Sequence, residues 1–193
     1  MYNGGVEAIL TIFSRKNTDN SEYSEVNRLI MECATSKESL STLYQMFKGS
    51  VFAVAFSITS DYHLSEDCVM ETFIRLTQAK NFNPKKGNGK GYIIKTAQNV
   101  AHELLRRQNK EYKNFFIQGY GEADKTVEDS IFINQMLKHL NDKQRQIVIM
   151  KCCSELTFKE ISEIIHVNVS TVKSRYQKAM SILQEKAGVN SEK

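Results

Sequence analysis

Seven residues between positions 170 and 178 have the chemistry of a DNA-reading surface: Ser170, Thr171, Lys173, Ser174, Arg175, Gln177 and Lys178. Hydroxyls and amides can read base edges, and lysine and arginine can meet phosphates, so such a set suits the major groove. To act together these side chains must share one face of a helix. Val172, Tyr176, Ala179 and Leu183 repeat at helical spacing and turn inward, which leaves the seven outside or at the margin. Asn168 and Ser170 are good residues to cap the start of that helix. Just upstream, Ile161, Ile164 and Ile165 stripe a shorter helix, so residues 156–183 read as a helix-turn-helix. The plain alternative is a helical hairpin with a solvated polar face. The absence of any acid from Asn168 through Gln177 argues against it, because solvated faces mix both signs.

A second constellation lies in the middle of the chain. Between Lys80 and Lys113, nine cations stand against Glu103 and Glu111 alone, a net +7 that leaves −3 for the rest of a chain of net charge +4. Such asymmetry points to a polyanionic partner. The stretch mixes aromatic, amide and cationic side chains: Asn81, Phe82, Asn83, Lys85, Lys86, Asn88, Lys90, Tyr92, Lys95, Asn99, Arg106 and Arg107. An aromatic platform beside a cationic groove is how single strands are held.

The elements that must position these residues are helical. The apolar fraction of 41% supports packed cores, and the single proline and the apolar periodicity favour an all-α chain of two small helical domains joined by a flexible linker. Residues 1–23 read as a weakly structured extension and 24–111 as the first domain. Its stripes are Val26, Leu29, Ile30 and Cys33, then Leu40 through Ile58, then Val69, Phe73 and Leu76. Ser65, followed by Glu66 and Asp67, reads as the start of the third helix, which ends near Ala79. The loop NFNPKKGNGKG follows, and a fourth helix spans about Tyr92 to Asn109. Residues 112–128 read as linker, 129–187 as the second domain and 188–193 as a tail. The second domain carries helices near 130–139, 142–153, 158–165 and 169–186, with Asn141 or Asp142 capping the second of them.

Other chemistries find little support. Gly87, Gly89 and Gly91 match neither the dinucleotide fingerprint nor a GK[ST] phosphate loop. Cys33, Cys68, Cys152 and Cys153 form no C-x-x-C pair and no zinc-type spacing with histidine, so no metal or other cofactor is expected. A reducing, cytoplasmic setting fits such cysteines. No hydrolytic triad or carboxylate pair emerges, so no enzyme is expected. No apolar run approaches the ~18 residues a membrane span needs, and the N-terminus lacks the marks of a secretory signal.

Over roughly residues 24–186 the chain resembles bacterial RNA polymerase sigma factors of the small extracytoplasmic-function (ECF) type of the sigma-70 family. LYQMFKGSVFAVAFSIT and LSEDCVMETFIRLTQAKNFNPKKG look like the family's region 2, GYIIKTAQNVAHELLRRQNK like its promoter-melting part, and LNDKQRQIVIMKCCSELTFKEISEIIHVNVSTVKSRYQKAMSILQE like region 4. The resemblance implies a transcription initiation factor that is not itself catalytic. It implies a polymerase-binding helix carrying Glu66, Asp67, Glu71, Thr72, Arg75 and Gln78, melting of the −10 element by the Asn81–Arg107 segment, and −35 reading by the C-terminal helix. Core polymerase and promoter DNA are the implied partners, with room for an anti-sigma factor. Tyr92 stands where the family usually has Trp, Ile94 and Gln98 where cations are common, and His166 where Gly forms the turn. The alternative is a helix-turn-helix regulator acting without core polymerase, which leaves the +7 segment unexplained. An anti-sigma-like interaction protein would leave two cationic faces unused.

Overall fold

A computed structural model describes residues 20–79, 82–84, 88–112 and 137–186, with no strand among them. The described helices are α1 (Asn20–Glu32), α2 (Lys37–Thr59), α3 (Tyr62–Thr77), α4 (Gly89–Tyr112), α5 (Asp142–Cys152), α6 (Phe158–Ile165) and α7 (Val169–Lys186). They fall into two compact units, α1–α4 and α5–α7.

In the first unit each helix buries the stripe its sequence shows. Val26 and Ile30 of α1, Leu43 and Phe47 of α2, Phe73 and Leu76 of α3, and Ile93 and Ala97 of α4 share one core. A second cluster joins Ala55, Cys68, Val100 and Ala101, all fully buried and mostly small, so α4 seats closely on α2 and α3. The helix starts follow side-chain caps. Ser36 Oγ accepts from Ser39 N–H at 3.1 Å to begin α2, and Asp61 Oδ1 accepts from Leu64 N–H at 2.8 Å to begin α3.

Three expected boundaries move. Helix α1 opens at Asn20, so the end of the extension expected to be weakly structured is helical. Helix α3 opens at Tyr62 rather than Ser65. Ser65 is buried inside it, with its hydroxyl 3.0 Å from Thr59 Oγ1 and donating to Asp61 O at 2.5 Å. Helix α4 begins at Gly89, three residues before Tyr92, and continues to Tyr112, because side chains cap its first N–H groups in spite of two glycines. The expected helix near 130–139, residues 113–128 of the expected linker, and the tail 188–193 lie outside the described residues, apart from residues 137–139 at the helix's end.

In the second unit Leu140, Val148, Ala179 and Leu183 form the centre, and Ile147, Met150, Leu156, Ile161 and Val172 are buried as well. Capping boxes open both α5 and α6. Asn141 and Gln144 exchange side-chain-to-backbone bonds, and Thr157 and Glu160 do the same. Helix α6 ends on His166, the position the resemblance singled out, in the left-handed conformation at φ 55°, ψ 47°. The N–H groups of His166 and Val167 both donate to Ser162 O, which closes the helix and turns the chain into α7.

Because Ile93 is fully buried where α4 meets the main core, Ile93→Ala should destabilise the first unit by about 2–5 kcal/mol. Urea denaturation of the variant against the wild-type chain measures it; a shift well under 1 kcal/mol would mean that α4 is not seated as described.

Candidate nucleic-acid interface

Helix α7 presents the expected face. Ser170, Lys173, Ser174, Gln177 and Lys178 are exposed, while Thr171 and Arg175 are half-buried at its margin. Val172, Ala179 and Leu183 turn inward and are buried. Tyr176 closes the inner side: its ring meets Phe158 edge-on at 5.3 Å, and its hydroxyl lies 3.9 Å from Cys152 Sγ. Burial raises both groups, the thiol to about 12, so each stays neutral at physiological pH. They are packing groups that fix the rotation of α7. Helix α7 starts at Val169, which puts Asn168 immediately before it and Ser170 in its first turn. No carboxylate follows Asn168 until Glu185, so the cations on this face have no competing local acid.

Helix α4 carries a second face. Lys95, Asn99, His102 and Arg106 recur at i, i+4, i+7 and i+11 along one side. Asn99, His102, Arg106 and Arg107 are exposed and Lys95 is half-buried. Partial desolvation lowers the pKa of Lys95, and partial desolvation of a side chain that still reaches solvent, followed by the Arg106 and Lys95 charges, lowers that of His102. His102 is therefore held neutral between two cations, able to donate and accept hydrogen bonds. Phe82 and Tyr92 pack against each other, ring centroids 5.0 Å apart, and both lean on the main core, so each exposes only part of a ring. Asn83 is exposed.

Two expected contact residues are misplaced by the sequence reading. Lys90 is not a loop cation: it sits in the first turn of α4 and is 5% exposed, because α4 begins before it. Thr72 is fully buried, since it falls on the inner stripe of α3 next to Phe73 and beside Cys68. Neither offers a surface to a partner. Asn81, Lys85 and Lys86 lie outside the described residues.

The outer side of α3 is the third surface. Glu66, Asp67 and Gln78 are exposed, in or beyond the second turn, where the helix dipole no longer accounts for acids. Glu71 and Arg75 are half-exposed and already engaged. Arg75 donates to Glu71 at 2.7 Å and to Glu103 of α4 at 2.7 Å, while Arg107 also pairs with Glu103. Sequence reasoning missed two neighbours. Met70 and Ile74 are 58% and 48% exposed, off the buried stripe. With Leu40, Tyr44 and Phe73 they line an apolar groove of about 450 Å³ between α2 and α3. Their i, i+4 spacing on the outer side of α3 was the available signal. Among the described residues no cluster could hold a metal, and no helix is long and apolar enough to cross a membrane.

Two family models match the chain: sigma-70 region 2 over residues 43–111, and sigma-70 region 4 over residues 133–183. The ECF RNA polymerase sigma factor SigM of Bacillus subtilis is 26% identical over 164 residues, which is 80% of this chain and 99% of the relative. SigW of the same organism, another ECF RNA polymerase sigma factor, is 22% identical over 169 residues, 77% of this chain and 89% of its own. Among solved structures, the sigma factor RpoE in complex with the anti-sigma factor NepR from Bartonella quintana matches at TM-score 0.61 and 20% identity. That match covers 78% of this chain and 97% of RpoE. CnrH in complex with the cytosolic domain of CnrY matches at TM-score 0.61 and 15% identity, covering 86% of this chain and 99% of CnrH. Both share the fold.

The carboxyl of Glu103 is held below its ordinary range, first by the Arg75 bond and then by Arg107. A carboxylate lowered by folding stabilises the fold above its unfolded pKa and loses that contribution as pH falls through its folded pKa. Glu103→Gln should therefore be less stable than wild type at neutral pH, with the gap closing below about pH 4. Urea midpoints across that range test it; a gap that persists in acid would place the effect outside the ion bridge.

Proposed function

Because this chain belongs to the ECF type of the sigma-70 family, we propose that its three surfaces divide the work of transcription initiation. Helix α7 reads the upstream promoter element, the α4 face with Phe82 and Tyr92 holds the melted element, and the outer side of α3 binds core polymerase. The chain supplies no catalytic group of its own and works in the cytoplasm with the polymerase it directs. An anti-sigma protein is the third partner in this reading, competing with polymerase for the apolar groove beside α3.

The observation that carries the reading is the exposed, acid-free face of α7, set by the left-handed turn at His166. Lys173 and Lys178 meet phosphates there. Thr171 and Arg175, lower on the helix, are placed for base edges. On α3, exposed acids flank exposed apolar side chains, a composition that suits a protein partner and repels DNA. On α4, the Lys95–Arg106 stripe neutralises a separated strand, and Asn99 and His102 hydrogen-bond to its bases. A regulator acting without polymerase would use α7 alone and leave the other two surfaces idle.

Two measurements check the division. Run-off transcription with core polymerase should show that Arg175→Ala costs about 1–3 kcal/mol and relaxes preference at one base, and that Lys173→Ala weakens binding evenly and lowers the salt slope by about one. Unchanged transcription in both variants would remove α7 from promoter reading. Separately, Asp67→Lys and Met70→Ser should each weaken core-polymerase binding at an unchanged melting temperature, because exposed substitutions shift stability by under about 0.5 kcal/mol. Normal core affinity in both would reassign that side of α3.

A further inference from the structure

The first turn of α4 is held by a residue from outside the segment that matches region 2. Asn27, on α1, accepts a hydrogen bond from Gly89 N–H through Oδ1 at 2.7 Å, and its Nδ2 donates to Pro84 O at 3.5 Å. Gly89 is the first residue of α4, and its N–H has no partner within the helix. The next N–H, that of Lys90, goes to Asn88 Oδ1 at 2.9 Å. Two asparagines, one local and one 62 positions away, thus cap the same helix start.

The fit at Gly89 leaves no space for another residue. A Cβ there would lie 2.7 Å from Asn27 Oδ1, 2.8 Å from Ile30 Cδ1 and 3.0 Å from Val26 Cγ1, all on α1. Atoms at such separations must move apart, so the absence of a side chain lets α4 begin against α1. What this junction holds in place is the aromatic pair. Tyr92 lies one turn into α4, and Phe82 lies two residues before Pro84; Asn27 ties the backbone beside each to one side chain.

We propose that Asn27 is a positioning residue for the promoter-melting surface: it sets where Phe82, Asn83, Asn88 and Tyr92 meet the strand, and so sets discrimination at the melted element. This role rests on the sigma-factor reading given above. The 2.7 Å bond to Gly89 is the main anchor, because the contact to Pro84 is at the limit of hydrogen-bond length. An aspartate at 27 keeps that acceptor, gives up the weaker donor and adds a negative charge that the N-terminus of α4 favours.

The test uses the full chain with core polymerase, on a promoter selected by run-off transcription and on derivatives with single substitutions in the melted element. Discrimination between these templates is the readout, with core affinity and duplex binding at the upstream element measured alongside. Asn27→Ala should lose up to roughly fivefold in discrimination, the ceiling if the whole worth of one side-chain cap is expressed at the strand, at unchanged core affinity. Asn27→Asp should discriminate as the wild type does, and Gly89→Ala should match Asn27→Ala. Full discrimination in a folded Asn27→Ala chain overturns the role. So does an Asn27→Asp defect as large as that of Asn27→Ala, or a core affinity that falls in step with discrimination. If Asn27→Ala does not fold, the other two variants decide: Asp normal with Gly89→Ala impaired supports the role, and any other pair overturns it. A wild-type chain that confers no initiation overturns the sigma reading and this role together, whereas normal initiation with undiminished discrimination in the variants overturns this role alone.

Discussion

The seating of α4 on α2 and α3 is the constraint on which the rest of the first unit depends. It is made by small side chains: Ala55, Cys68, Ala97 and Ala101 are all fully buried, so the helix backbones approach closely. Cys68 Sγ donates to Ala97 O at 3.4 Å, and burial holds its thiol up at about 11, which keeps it a neutral donor within that contact. Once α4 is seated, Glu103 falls within reach of Arg75, Gly89 meets Asn27, and Tyr92 meets Phe82. A larger residue at any of the four small positions would lift the helix and loosen all three contacts together.

That dependence also links two of the surfaces. Arg75 sits on the side of α3 proposed to meet core polymerase, yet one of its two carboxylates belongs to α4, the helix proposed to hold the melted strand. Glu103 in turn divides its oxygens between Arg75 and Arg107. Side chains of α3 and α4 are therefore joined in one network of ion pairs. Half-exposed bridges of this kind contribute little to stability in water; their effect is to fix which oxygen faces which cation.

Much of this was legible in the sequence because apolar side chains recur at helical spacing. The stripes of α1, α2, α3, α6 and α7 were read residue by residue, and the inward set Val172, Ala179 and Leu183 is buried as expected. The left-handed turn at His166 falls where the family resemblance implies a turn glycine. Capping was less legible because it depends on more than local pattern. Ser65 followed by two acids is a good helix start by itself, but Asp61 caps four residues earlier and Thr59 takes up the Ser65 hydroxyl. Lys90 and Thr72 failed for one reason: a residue type suggests a surface role, whereas the register of the helix decides which way it faces. Asn27 could not be found at all from local sequence, since its partner is 62 residues away.

That separation bears on the order of assembly. The hairpin of α2 and α3 joins neighbours across a turn of two residues, Ser60 and Asp61. The α1–α4 junction closes a loop of about sixty residues, and the entropy cost of closure grows with the logarithm of loop length. Local helical pairs are therefore expected to form before the long closure. In a newly made chain, the aromatic pair and the asparagines around it are expected to be the last part of the first unit to reach their final geometry. On the proposed division of surfaces, the α2–α3 pair would then be complete while the surface proposed to hold the melted strand is still being drawn together.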